Sequence, residues 1–73
     1  MIYAIQKIHT QERISYYKID DEKVRKCHYD LIGNRTKEKE ISVKEIHRNR
    51  PRYKDTEDFF EDMIWNHGYS KLN

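Results

Sequence analysis

The residues best suited to chemistry lie between Lys44 and Asp62. Lys44, Arg48, Arg50, Arg52 and Lys54 stand against Glu45 alone, a local charge of +4, and residues 55–73 then set five acids against Lys71. In an extended chain Arg48, Arg50 and Arg52 project to one side, about 6.5–7 Å apart. That spacing suits successive phosphates, a row of carboxylates on a partner protein, or the chain's own acids. With Tyr53 and Tyr16 as stacking rings the stretch would make a nucleic-acid-binding module. The acids that follow at once would repel a phosphate backbone, which favours an acidic protein partner. His47 among these cations could serve general acid–base chemistry in a metal-independent nuclease. Nothing in the spacing fixes that geometry, and the chain has neither a glycine-rich phosphate loop nor a G-x-S-x-G element, so the reading is non-enzymatic, with no catalytic residue.

Other chemistry-bearing groups carry less. Cys27 and His28 are adjacent, so on a strand they point to opposite faces, and His9, His47 and His67 have no ligand-pair spacing. No metal and no cofactor is expected, and Cys27 reads as a buried structural thiol. Glu57, Asp58, Glu61 and Asp62 could mimic phosphates, yet acids in the first turns of a helix are what its dipole favours. Trp65, close to Tyr69, is the residue type that anchors partners. The candidate contact residues are therefore Arg48, Arg50, Arg52, Tyr53, Lys54, Trp65, Tyr69 and Tyr16.

The elements that must position them follow from hydrophobic pattern and turn chemistry. MIYAIQKIH, residues 1–9, starts as an apolar run and then alternates, which predicts a strand; ISYYKI, 14–19, is rich in β-formers; VRKCHYDLI, 24–32, alternates. Thr10 to Arg13 and Asp20 to Lys23 supply polar turns, and Gly33-Asn34 reads as a two-residue hairpin link into a fourth strand over about 39–46. Pro51 ends extended pairing and makes 47–54 a basic loop. Asp55-Thr56 is an N-cap signal and Gly68 a C′ residue, predicting a helix over about 57–67 with Phe59, Phe60, Met63 and Ile64 on one apolar stripe. The expected architecture is a single small α+β domain: a four-stranded antiparallel meander with one C-terminal helix packed on one face.

One helix covers one face of such a sheet. If it takes the set Tyr3, Ile5, Tyr17, Ile19, Cys27, Tyr29 and Leu31, the other face shows Ile2, Ala4, Ile8, Ile14, Tyr16, Val24 and Ile32, or the sets exchange. Either way a broad apolar patch is left over, which predicts a contact surface. At 73 residues a single core rarely supplies more than about 3–5 kcal/mol, so a partner or a homodimer is expected.

Fifteen basic and thirteen acidic side chains nearly cancel, so attraction to a polyanion must be local. One cysteine excludes an internal disulfide and fits a reducing compartment; no leader or membrane-spanning run is read, so the expected location is cytoplasmic. Nine Ile, nine Lys, six Tyr and four Asn point to A/T-rich coding. Together these features predict a small interaction protein that binds and modulates or inhibits a macromolecular partner, a protein ahead of nucleic acid, in the manner of phage or mobile-element accessory factors.

Overall fold

A computed structural model describes residues 1–46 and 53–72. Four strands, β1 (Ala4–His9), β2 (Glu12–Lys18), β3 (Lys23–Tyr29) and β4 (Arg35–Ser42), form an antiparallel meander. A short 3-10 turn (Val43–Glu45) follows. The helix α1 (Thr56–His67) then leads to a two-residue strand, β5 (Ser70–Lys71), that pairs with β1. The sheet order is β4-β3-β2-β1-β5, so the expected four-stranded sheet gains a fifth, short edge that two residues were too few to announce.

Turn geometry decides which residues share a face. The link Thr10-Gln11 is two residues long, shorter than the expected Thr10 to Arg13, and β2 starts at Glu12. It pairs Ile5 with Tyr16 and Lys7 with Ile14, so odd positions of β1 share a face with even positions of β2. Between β2 and β3, Asp20 accepts at one carboxylate oxygen from the backbone N–H groups of Glu22 and Lys23, both at 2.8 Å, and even positions keep company with even ones: Tyr16 opposes Lys26, and Lys18 opposes Val24. Gly33 and Asn34 do not make a two-residue link by themselves. The turn spans 30–34, the Asp30 side chain accepting from Ile32 and Asn34 and Gly33 taking φ 94°, and a register shift at His28/Tyr29 adjoins it. β4 thus begins at Arg35, four residues earlier than the pattern suggested, because exposed Lys and Glu hide its period.

The helix is set as its sequence requires. Asp55 caps it by accepting from the Asp58 N–H at 2.9 Å, and Gly68 ends it in the left-handed region, φ 78°. The Thr56 N–H donates to the Asp21 carbonyl at 2.8 Å, tying the first turn to the β2–β3 turn. At the other end Lys7 Nζ donates to the His67 carbonyl at 2.8 Å, placing a cation where the helix dipole is negative.

The core beneath α1 comprises Ile5, Ile14, Tyr16, Val24, Val43, Phe59, Phe60 and Tyr69. It takes Ile5 from one expected set and Ile14, Tyr16 and Val24 from the other, which corrects the sequence-based assignment of faces: a two-residue first turn couples odd to even positions, and the sets assumed the reverse. The rings interlock edge-on, Tyr16 on Phe59 at 5.1 Å and Tyr53 on Phe59 at 5.2 Å between centroids, the geometry that aromatic quadrupoles favour.

Candidate functional site

The face turned towards α1 is apolar only where the helix covers it. Cross-strand rows read from the register are Lys7–Ile14–His28–Lys37 and Ile5–Tyr16–Lys26–Lys39. Each begins or passes through the core and ends on lysine towards the β4 edge. Lys26 and Lys39 face each other directly, an arrangement of like charges that weakens a sheet. Lys26 Nζ stands 5.6 Å from the Tyr16 ring centroid, and among the described residues Lys26, Lys37 and Lys39 have no ion-pair partner. His28 is met by Glu12 at 3.3 Å.

Between helix and sheet lies a cavity of about 420 Å³. Lys7, His9, Lys26 and His67 line it together with the rings of Tyr16, Tyr53, Phe59 and Tyr69, and no described carboxylate does. An open depression bordered by Lys26, His28, Lys37, Glu38, Lys39 and Ile41 continues along β4. Burial, with Tyr16 close by, pushes the Tyr69 hydroxyl well above the usual tyrosine range.

The expected contact residues fall in several places. Arg48, Arg50 and Arg52, with His47, lie outside the described residues; they belong to the segment joining Ile46 to Tyr53, two residues that line the cavity. Tyr53 donates to Asp62 at 2.5 Å, and the Lys54 backbone N–H donates to Asp58 at 3.1 Å. Tyr16 and Tyr69 are buried in the core rather than displayed. Trp65 is 81% exposed, on the outward side of α1. The acids at the helix are engaged within the fold as well: the Asp55 carboxylate accepts from the Asp58 N–H, Glu57 accepts from the Ile2 N–H at 3.4 Å, and Asp62 accepts from Asn66 at 2.6 Å. The acidic half of the charge swing thus has internal uses at the helix.

The opposite face is not the broad apolar patch expected. It carries Ala4 and Ile8, but also Gln6, Arg13, Arg25, Glu38 and Glu40, as the register requires. Some of its charges are matched: Glu38 meets Arg25 at 2.9 Å and Arg35 at 3.1 Å. Tyr17 and Tyr29 bring their hydroxyls to 3.2 Å across the facing pair Ser15 and Cys27, and the Arg13 guanidinium stacks on Tyr29 at 4.4 Å. These long side chains roof two small ones, which is why Ser15 and Cys27 are buried on a face no helix covers. The hydrogen bond with Tyr17, then burial, raises the Tyr29 hydroxyl's pKa.

Among the described residues no group of His, Cys, Asp and Glu side chains could hold a metal ion, and no helix is long and apolar enough to cross a membrane. No protein-family model, curated protein or solved structure matches the chain. The lysines Lys7, Lys26, Lys37 and Lys39 were not singled out by sequence, because they lie on three strands and meet only through the register. The one local signal was the KEKE alternation of residues 37–40.

Proposed function

We propose that this chain is a small non-enzymatic interaction protein whose lysine-bearing face, beside α1, binds an acidic segment of a protein partner and thereby modulates or blocks that partner. The observation that carries the reading is the facing pair Lys26 and Lys39. It is flanked by Lys37 in the neighbouring row and lacks a described ion-pair partner. Like charges brought together by a fold cost stability unless something answers them, and an acidic ligand answers them. One feature favours carboxylates over nucleic acid. The aromatic rings near the lysines, Tyr16, Phe59 and Tyr69, are buried and offer little face for unpaired bases to stack on.

The test is a titration of fluorescent polyglutamate and of single-stranded and duplex oligonucleotides in one buffer, at low and high salt. Tighter binding of polyglutamate, lost when Lys26 and Lys39 are both changed to Glu, is the expected result. Tighter oligonucleotide binding, with a salt slope of about −0.7 per neutralised phosphate on the single strand, would transfer the site to nucleic acid and to Arg48, Arg50 and Arg52. Turnover of RNA abolished by His47→Ala would make the chain an enzyme.

A further inference from the structure

Resting on that reading, we propose that the acidic segment binds as an added β-strand on the free edge of β4, with carboxylates at every second position on the side of the sheet that bears α1. β4 is the longest strand and stands at the end of the sheet order. Among the described residues it pairs only with β3, and Arg35 to Glu40 are exposed on it. An edge of this kind offers a row of backbone donors and acceptors to another chain. Eight residues span about 26 Å, room for a strand of similar length.

The charges select the occupant. In β4 the helix-side positions are Lys37 and Lys39 and the opposite ones Glu38 and Glu40. A second copy pairing antiparallel about a two-fold axis keeps the same face upward, so helix-side residues must meet helix-side residues. Centred on Lys39, that pairing opposes Lys39 to its own equivalent and Glu38 to Glu40; centred on Glu38, it opposes Lys37 to Lys39 and Glu38 to itself. Each such register sets like charge against like, which destabilises facing pairs. The two faces also differ in what remains unmet. Glu38 is already held by Arg25 and Arg35, whereas Lys37 and Lys39 have no described ion-pair partner. The incoming strand therefore needs acids beside Lys37 and Lys39, while Glu38 on its other side asks for no base.

Four labelled peptides test this: glutamate alternating with valine over about eight residues, matched to the strand span, an isomer of the same composition with its glutamates in one block, and two forms of the alternating peptide, each N-methylated at alternate amides in one phase. Binding is read by fluorescence, and amide exchange of residues 35–42 by NMR. The expected result is that the alternating peptide binds at least tenfold more tightly than the block isomer and slows exchange along β4. One phase of N-methylation, and the Lys37→Glu, Lys39→Glu double variant, should remove this binding. Equal binding of all four peptides would overturn strand addition and leave the acidic-partner reading in place. No binding of any of these four peptides to the folded protein, while polyglutamate binds, would do the same; failure of polyglutamate as well would overturn both. Slowed exchange along β4 in a peptide-free dimer would show that a second copy takes the edge, which also overturns the proposal.

Discussion

The two faces of the sheet solve the same problem in opposite ways. Both carry cations and tyrosines, chiefly lysine on one and arginine on the other, and only one is covered by a helix. On the uncovered face Glu38 is shared by Arg25 and Arg35, and Tyr17 and Tyr29 close over Ser15 and Cys27. On the covered face the apolar residues are sealed by Phe59 and Phe60 while the lysines beyond the helix are left facing one another. A bare face can be made self-sufficient by its own side chains, and a helix-covered face can still be the one that asks for a partner.

The comparison can be broken first at the seal. Phe60→Ala removes a fully buried ring and should cost about 3–5 kcal/mol, as much as a core of this size supplies; thermal or urea unfolding should find the variant largely unfolded. Next come the lysines. Lys39→Glu turns the clash with Lys26 into an opposite-charge pair, so it should raise stability by about 0.2–1 kcal/mol while lowering affinity for an acidic peptide by about tenfold, or 1.4 kcal/mol. Arg25→Gln on the other face should leave that affinity unchanged, and a matching loss there would erase the distinction between the faces.

The tyrosines sharpen the contrast through pH. Folding raises the pKa of Tyr29, through its bond with Tyr17, and of Tyr69, through burial. A raised pKa means the folded chain keeps a proton that the unfolded chain releases, so the stabilisation is complete below about pH 10, the unfolded value, and declines as pH rises beyond it. Stability should thus fall on the alkaline side, and the fall should be shallower in Tyr29→Phe and in Tyr69→Phe; unfolding curves above pH 9.5 measure it. The smallest effect is expected at Ser15, whose hydroxyl is buried with no described partner. Ser15→Ala should be neutral or stabilise by up to about 1 kcal/mol, checked by the urea midpoint.

Local signals gave a good account of the elements and a poor one of their relations. Asp55, Gly68 and the stripe Phe59, Phe60, Met63 and Ile64 define α1 because capping and amphipathicity act within a few residues. Ile5 and Tyr16 could not be matched from their strands alone: period-two alternation has no phase relative to another strand until the intervening turn is known, and Thr10-Gln11 is a turn without glycine, asparagine or proline to announce its length. For the same reason Lys26 and Lys39, thirteen positions apart, were invisible as a pair. The arginine row, conspicuous as a local charge run, lies outside the described residues.

The placement of β5 also gives the fold an order in time. β1 to β4 meet through links of two, four and five residues, whereas β5 reaches β1 only across about sixty residues. Closing short loops costs less entropy and happens sooner. The meander should therefore assemble first, with β5 and the end of α1 latching onto β1 after the rate-limiting step. A weakened latch would then hasten unfolding and leave the folding rate nearly untouched, so the durability of the native state is governed from its last few residues.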